Sequence, residues 1–310
     1  MAAINLRSLL DLIGSVAPGM SLLYFSGISC SVMGVSGAGK TALMAKVALD
    51  VYSDSNSIPL IIRFCGTSDG SYNARKLMMS ICLQIEIVYE FPEEQRRALS
   101  FDTKKYAELV EYFQSLLQEH PVILFVDSLD QLSNEDQGRS DISFLKGVKP
   151  HENTRIIVSS LPDDENYTYY CDLKLRNSNV PRVVVEMTDV SNMSALDESM
   201  SIIDELLSRK NRTLTEEQRL VVRDRVSMER EKTALYINLA VQVISRWTSQ
   251  VDASQNLEGG VQNLIKQVFK KLEHDYGHKL VKFALAFMTF SKKGISDVEM
   301  EELLSLDDEI

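Results

Sequence analysis

The stretch Gly34-Val-Ser-Gly-Ala-Gly-Lys-Thr41 decides how this chain of 310 residues folds. It fits the pattern G-x-x-x-x-G-K-[ST], in which glycines let backbone N–H groups turn inward around an anion where a side chain would block the approach. The apolar run 28–33 precedes the stretch, and residues 41–51 follow with apolar side chains at helical spacing. A strand, a glycine-rich turn and a helix in this order predict a loop that cradles phosphate groups.

The pattern assigns a role to each kind of residue in this loop. Lys40 places a positive charge on the β- and γ-phosphates of a nucleotide, and the Thr41 hydroxyl ligates Mg²⁺. The partial positive charge at the start of the helix adds to the attraction for phosphate. The residues predicted to bind the phosphates are Gly34, Val35, Ser36, Gly37, Ala38, Gly39, Lys40, Thr41, Ala42 and, from a later strand, Ser160.

A carboxylate for the metal is expected at the end of a neighbouring strand. The apolar run 122–126 is followed directly by Asp127, which we predict to face Mg²⁺ together with Thr41. The alternative is a strand-end aspartate that only caps the next turn. Ser128 stands after Asp127 where transporter-type and ring-type ATPases carry a glutamate base, which disfavours those two classes.

Asp130 is the candidate for the group that acts on water. It follows Asp127 by three residues, and it either orients or deprotonates the attacking water or forms the N-cap of a helix near Gln131. The predicted catalytic residues are therefore Lys40, Asp127 and Asp130. No N-K-x-D pattern of the kind that reads guanine occurs, so adenine is the base by elimination, and the predicted ligands are ATP or ADP with Mg²⁺.

Two small hydroxyl residues end another apolar run. Ser159 and Ser160 follow residues 156–158, and a strand end at this place would lie beside the γ-phosphate. The two serines either sense that phosphate by hydrogen bonding or belong to a plain strand-to-loop turn that Pro162 ends.

The remaining apolar runs indicate the fold class. Runs at 60–64 and 183–185, together with those above, are separated by amphipathic helical patterns. This alternation predicts an α/β fold with a parallel sheet covered on both faces, the three-layer sandwich of P-loop NTPases. After Thr188 the strand signals stop, and the capping boxes Thr215-x-x-Gln218 and Ser296-x-x-Glu299 predict the starts of two helices.

Composition disfavours several classes of function. The chain carries 33 Lys and Arg against 44 Asp and Glu, a net charge of −11, which argues against nucleic acid as a partner because phosphate attraction needs clustered cations. Its apolar runs are shorter than the roughly 18 residues of a membrane span, so no membrane association is expected. Four scattered cysteines without a C-x-x-C pair predict reduced, buried thiols and a cytoplasmic location.

The order of these motifs resembles that of the NACHT-type signalling NTPases of the STAND class, and most of all the NACHT and WD-repeat proteins. The resemblance implies a nucleotide switch that closes around ADP in a resting monomer and opens for self-association when ATP replaces ADP. Lys40, Thr41, Asp127 and Asp130 match the family's phosphate, metal and water positions. The matching stretches are the Walker A motif at 34–41, the Walker B motif at 127–130, and residues 63–68, 159–162, 212–218, 235–239, 294–296 and 303–308.

The resemblance also implies a domain organisation. The expected segments are an N-terminal segment of unassigned role (1–27), a NACHT P-loop NTPase core (28–188), a helical subdomain (189–255) and the truncated start of a winged-helix domain (256–310). WD repeats and an effector domain are not present in the sequence, so it is expected to be a fragment, a truncated gene product or a recombinant segment. Protein partners would then bind through domains outside this chain.

Three positions depart from the family pattern. Leu161 stands where many relatives carry an arginine that senses the γ-phosphate, Ala234 where a proline often packs on adenine, and Gln131 where a further acidic residue is common. These departures argue against fast hydrolysis and leave binding intact. The expected function is a Mg-ATP-binding switch with slow hydrolysis that controls assembly. The alternative is a non-hydrolysing scaffold or interaction module in which the nucleotide is a structural ligand.

Overall fold

A five-stranded sheet organises the first part of the chain. Its strands lie in the order β2-β3-β4-β1-β5, and every pairing between them is parallel. The predicted α/β fold with a parallel sheet is therefore confirmed. The strands are β1 (Cys30–Met33), β2 (Leu60–Phe64), β3 (Ile123–Asp127), β4 (Arg155–Ser160) and β5 (Arg182–Val184).

The computed structural model describes most of the chain, in two compact units that comprise residues 1–186 and 187–310. Apart from Gly27, the predicted N-terminal segment lies outside the described residues. The predicted boundary between the NTPase core and the helical subdomain, at 188/189, lies outside them as well. The predicted boundary at 255/256 stays a prediction. The described residues are 27–54, 58–68, 70–102, 104–163, 171–185, 193–229, 233–248, 256–291 and 294–306.

The strand order differs from the expectation in one respect that matters for the site. We expected Asp127 on the strand next to the one that leads into the P-loop, but this was wrong, since β4 lies between β1 and β3. The register pairs Met33 with Ser160 and Val126 with Val158. Buried parallel strands all read as continuous apolar runs, so the sequence pattern does not encode which runs become neighbours.

Helices cover both faces of the sheet. Phe125 of β3 lies in a buried cluster with Met44 of the first helix, whereas the next residue, Val126, lies in a second cluster with Leu77 of the second helix. This alternation follows from the two-residue period of a strand. The helices of the unit are α1 (Lys40–Asp54), α2 (Ala74–Val88), α3 (Tyr106–Glu119), α4 (Gly138–Asp141) and α5 (Cys171–Asn177), with 3₁₀ helices at 93–95, 98–102, 129–131, 135–137 and 143–145.

The four cysteines are free and buried, as predicted. Burial raises the pKa of the Cys30, Cys65 and Cys171 thiols to about 12. At Cys65 the nearby Asp127 and Asp130 carboxylates add to the rise. These thiols are therefore protonated at neutral pH and behave as small apolar side chains of the core.

Helices are the regular elements of the second unit in its described residues. Val226, Tyr236 and Ile203 are buried together in its core. Both capping boxes that the sequence predicts, at Thr215 and Ser296, are formed. None of the helices in the described residues has the length and apolar character that a membrane crossing needs. The helices are α6 (Met193–Ser208), α7 (Glu216–Met228), α8 (Ala234–Ile244), α9 (Val261–Tyr276), α10 (His278–Phe290) and α11 (Asp297–Leu304).

We expect Phe125→Ala to lower the free energy of unfolding of the first unit by about 3–5 kcal/mol, because it removes a fully buried ring from the middle of β3 and leaves a cavity. Urea denaturation followed by circular dichroism measures this loss. Trp247 is the only tryptophan and lies in the second unit, so its fluorescence reports that unit separately. Leu49→Ala on the exposed face of α1 is the control, and equal losses for the two variants would contradict the prediction.

Candidate functional site

The loop between β1 and α1 curves around the N-terminus of α1. Gly37 and Gly39 have φ angles of 77° and 98°, in the left-handed region that glycine enters at little cost. The Ala38 N–H donates to the Val35 carbonyl at 3.2 Å, and the Leu43 N–H donates to the Gly39 carbonyl at 2.9 Å, where the helix begins. The backbone therefore has the concave shape that a phosphate cradle requires.

A close approach from the end of β5 explains the glycine at position 34. A Cβ atom at Gly34 would lie 2.8 Å from the carbonyl oxygen of Val185. The N–H of Val185 in turn donates to the Met33 carbonyl at 2.6 Å, which fixes this segment against β1. A larger residue at position 34 would have to displace the end of β5, and with it the start of the loop.

Lys40 is folded over the loop. Its side chain is buried, and the ammonium group donates to the carbonyl oxygens of Gly34 at 2.6 Å and Val35 at 3.1 Å. Burial lowers the pKa of Lys40, and the Asp130 and Asp127 carboxylates act against that shift. The arrangement holds a positive charge at the mouth of the loop, where an anion would be bound.

Thr41 and Asp127, the predicted metal ligands, lie side by side. The Thr41 hydroxyl donates to Oδ2 of Asp127 at 2.7 Å, although the two residues are 86 positions apart. Asp127 is 2% exposed and its carboxylate points towards α1 and β4, whereas Ser128 occupies the N-cap position of the following turn. The interpretation of Asp127 as a simple cap of that turn is therefore wrong.

The donor atoms of this pair fit a hard divalent cation. A hydroxyl oxygen and one carboxylate are the oxygen ligands that Mg²⁺ takes from a protein that also binds phosphates, and the remaining positions go to water and phosphate oxygens. No group of three or more His, Cys, Asp or Glu side chains in the described residues forms a cage for a metal. Thr41 and Asp127 therefore suit an ion that is bound jointly with a phosphate ligand.

Ser159 and Ser160 both have fully buried side chains with hydrogen-bond partners inside the protein. The Ser159 hydroxyl donates to Oδ1 of Asp127 at 2.5 Å and accepts the Ser128 N–H at 2.8 Å. The Ser160 hydroxyl donates to the Leu161 carbonyl at 3.2 Å. Sequence reasoning named Ser159 but missed its contact with Asp127, because that contact depends on β4 lying beside β3. In the sequence, the only sign of this contact is that Ser159, a hydroxyl residue, directly follows the apolar run 156–158.

Asp130 lies inside the 3₁₀ helix Leu129–Gln131, so the alternative that it forms the N-cap of a helix near Gln131 is wrong. It is 4% exposed, and both carboxylate oxygens have donors. Oδ1 accepts the Leu161 N–H at 2.9 Å, and Oδ2 accepts the Gln131 side-chain amide at 2.6 Å. Two of the three residues that depart from the family pattern thus contact the carboxylate predicted to act on water.

A parallel sheet with a glycine loop, a loop lysine and a strand-end carboxylate next to the loop threonine defines a P-loop NTPase, a class of nucleotide-binding proteins. Residues 28–160, which run from two residues before β1 to the end of β4, match the family model described as Nephrocystin 3, N-terminal. The match thus covers the P-loop, Asp127, Asp130 and both serines.

Two groups of relatives confirm the predicted NACHT-type similarity. The chain is 30% identical over 285 residues to NACHT and WD repeat domain-containing protein 2 of Mus musculus, which covers 88% of this chain and 15% of that protein. It is 25% identical over 286 residues to NACHT domain- and WD repeat-containing protein 1 of Homo sapiens, and this alignment covers 90% of this chain and 17% of that protein. The chain therefore spans only a small part of the length of these relatives.

Solved structures with a similar fold include Cdc6p from Pyrobaculum aerophilum. The TM-score is 0.47 at 13% sequence identity, and the alignment covers 98% of this chain and 84% of that chain.

We expect Gly34→Ala to destabilise the first unit by about 1–3 kcal/mol, because the added Cβ would overlap the Val185 carbonyl and force a backbone shift. Chemical denaturation monitored by circular dichroism measures the loss. Gly70→Ala is the matched control, since a Cβ there would meet only the Lys76 side chain at 3.9 Å. Unchanged stability of Gly34→Ala would show that β5 does not constrain the loop.

Proposed function

We propose that this chain is the nucleotide-binding part of a NACHT-type signalling NTPase, which binds Mg-ATP or Mg-ADP, hydrolyses ATP slowly and acts as a nucleotide-dependent assembly switch. The observation that carries the proposal is the hydrogen bond between the Thr41 hydroxyl and the Asp127 carboxylate, directly beside the glycine loop. It joins the predicted metal ligands to the predicted phosphate cradle in one place.

Phosphate binding would use the main chain of the loop and one side chain. The N–H groups of the loop and of the first turn of α1 would surround the phosphate oxygens. Lys40 would exchange its present acceptors, the Gly34 and Val35 carbonyls, for the β- and γ-phosphates. Thr41 and Asp127 would hold Mg²⁺, which when bound neutralises charge on the phosphate oxygens.

We expect Lys40→Ala to abolish measurable nucleotide binding, because truncation of a buried charged partner costs about 2–5 kcal/mol of binding free energy. Titration with a fluorescent ATP analogue in Mg²⁺ buffer measures the affinity. Lys46→Ala is the matched control, because Lys46 lies on the exposed face of the same helix and pairs with Asp50 at 2.6 Å. Tight binding by Lys40→Ala would refute the assignment of the loop.

Slow rather than fast hydrolysis is supported by the surroundings of Asp130. A general base must accept a proton from water, yet both oxygens of this carboxylate already accept hydrogen bonds from Leu161 and Gln131. Each oxygen keeps a second acceptor site, but Asp130 is only 4% exposed, so water has little access to the carboxylate. The same contacts favour the second candidate function, a scaffold that binds the nucleotide without hydrolysing it.

We expect Asp130→Asn to lower the single-turnover rate of ATP hydrolysis by about 10²-fold or more, the contribution typical of a general base. The asparagine keeps an oxygen that can accept the Leu161 N–H, so the variant should fold, which a thermal melt checks. Asp136→Asn, in the segment after β3, serves as the control. Equally negligible turnover in the wild type and Asp130→Asn would favour the scaffold function instead.

The proposal also assigns a domain to each part of the chain from residue 28 onwards. Under this proposal residues 28–188 form the NTPase core, 189–255 the helical subdomain and 256–310 the start of the winged-helix domain. The protein would act in the cytoplasm and associate with itself or with protein partners through domains outside this chain. Similarity to the NACHT and WD-repeat proteins over about nine-tenths of the chain supports this organisation.

A further inference from the structure

We propose that Ser159 is the positioning residue that orients the Asp127 carboxylate towards Thr41 and the divalent cation, and that it does not sense the γ-phosphate. This inference rests on the proposed function, since it concerns the metal-dependent part of nucleotide binding. It is carried by the contacts of one fully buried hydroxyl group with the end of β3.

The two oxygens of Asp127 have separate partners. Oδ1 accepts the hydroxyl of Ser159 at 2.5 Å, whereas Oδ2 accepts the hydroxyl of Thr41 at 2.7 Å and, at the longer distance of 3.4 Å, that of Ser128. With Oδ1 held on the β4 side, Oδ2 must point towards α1, where the metal would lie. Because Ser159 is 0% exposed, solvent does not compete for this bond, and the carboxylate is held in one orientation.

The single proton of the Ser159 hydroxyl is committed to Asp127. Its oxygen accepts the Ser128 N–H at 2.8 Å, so the hydroxyl is an acceptor towards the main chain and a donor towards the carboxylate. Ser128 has a φ of 61°, in the left-handed region that non-glycine residues rarely adopt. One hydroxyl thus supports both the carboxylate and the strained residue that follows it, and has no proton left for a phosphate oxygen.

The strand order explains why a serine stands at this place. β4 is inserted between β1 and β3, and its register pairs Val158 with Val126 of β3 and Ser159 with Val32 of β1. Ser159 therefore reaches the strand end one residue beyond the last pairing with β3, level with Asp127. A residue that positions a metal ligand is best placed on a rigid element, and a central strand provides that rigidity.

The test is the Mg²⁺ dependence of nucleotide affinity in Ser159→Ala. Affinity for a fluorescent ATP analogue is measured in EDTA and then as a function of Mg²⁺ concentration. We expect unchanged affinity in EDTA, while the Mg²⁺ concentration that gives half of the full enhancement rises by about ten- to a hundred-fold, as for other partners that orient metal ligands. A merely structural role would not separate the two measurements.

Ser31→Ala is the matched control. Ser31 is also a buried serine of the sheet, but its hydroxyl donates to the Pro181 carbonyl at 3.3 Å, away from Asp127. We expect this variant to keep the Mg²⁺ dependence of the wild type. Ser159→Cys, which fills the same space with a weak donor, should show the same direction of change as Ser159→Ala.

Several results would overturn the proposal. The first is a wild-type Mg²⁺ dependence in Ser159→Ala. The second is an equal loss of affinity in EDTA and in Mg²⁺, which would indicate that Ser159 contacts a phosphate. The third is failure of both Ser159→Ala and Ser159→Cys to fold, which would show that the hydroxyl is needed for folding. A wild-type protein that binds no nucleotide would refute the proposed function itself, and the present inference with it. That outcome is distinct from an unchanged Mg²⁺ dependence in a protein that binds.

Discussion

One hydrogen bond joins the two sides of the site, from the Thr41 hydroxyl at the start of α1 to the Asp127 carboxylate at the end of β3. The strands that lead to these residues are not neighbours, because β4 lies between them. Asp127 is 2% exposed, and its carboxylate needs polar partners because burial of an unpaired charge is very unfavourable. The contact therefore couples the position of the P-loop helix to that of β3, and a ligand that separates the pair acts on both.

The charges around this bond bear on whether the proposed nucleotide would bind with or without a metal ion. Lys40 contributes one buried positive charge, and Asp127 and Asp130 contribute two buried negative charges. From the protein groups alone the surplus is one negative charge, to which a bare triphosphate would add several more. A divalent cation would offset this excess, so these charges support the proposal that the nucleotide binds as its metal complex. The same carboxylates stabilise the charged form of Lys40 against the effect of its burial.

The sequence predicts those parts of the site whose functional residues belong to one continuous segment of the chain. The loop 34–41 is one continuous segment, and Asp127 directly follows an apolar run, so both can be recognised without knowing the fold. The place of β4 between β1 and β3 has no local signal, because buried strands look alike in sequence. The contact of Ser159 with Asp127 depends on that strand order, and so does the contact of Asp130 with Leu161.

The surroundings of Asp130 limit how its carboxylate could act on water in the proposed function. Its Oδ1 accepts the Leu161 N–H and its Oδ2 the Gln131 amide, and Asp130 is only 4% exposed, so water has little access to the acceptor sites that remain. If the carboxylate turned away from the Leu161 N–H to meet water, that unpaired N–H would cost about 1–3 kcal/mol, and each 1.4 kcal/mol added to a barrier is about tenfold in rate. For Asp130 to act on water as proposed, the turn 129–131 and the end of β4 would have to give water more access to this buried carboxylate. Slow turnover would then follow from these two strand ends alone, without an inhibitory domain.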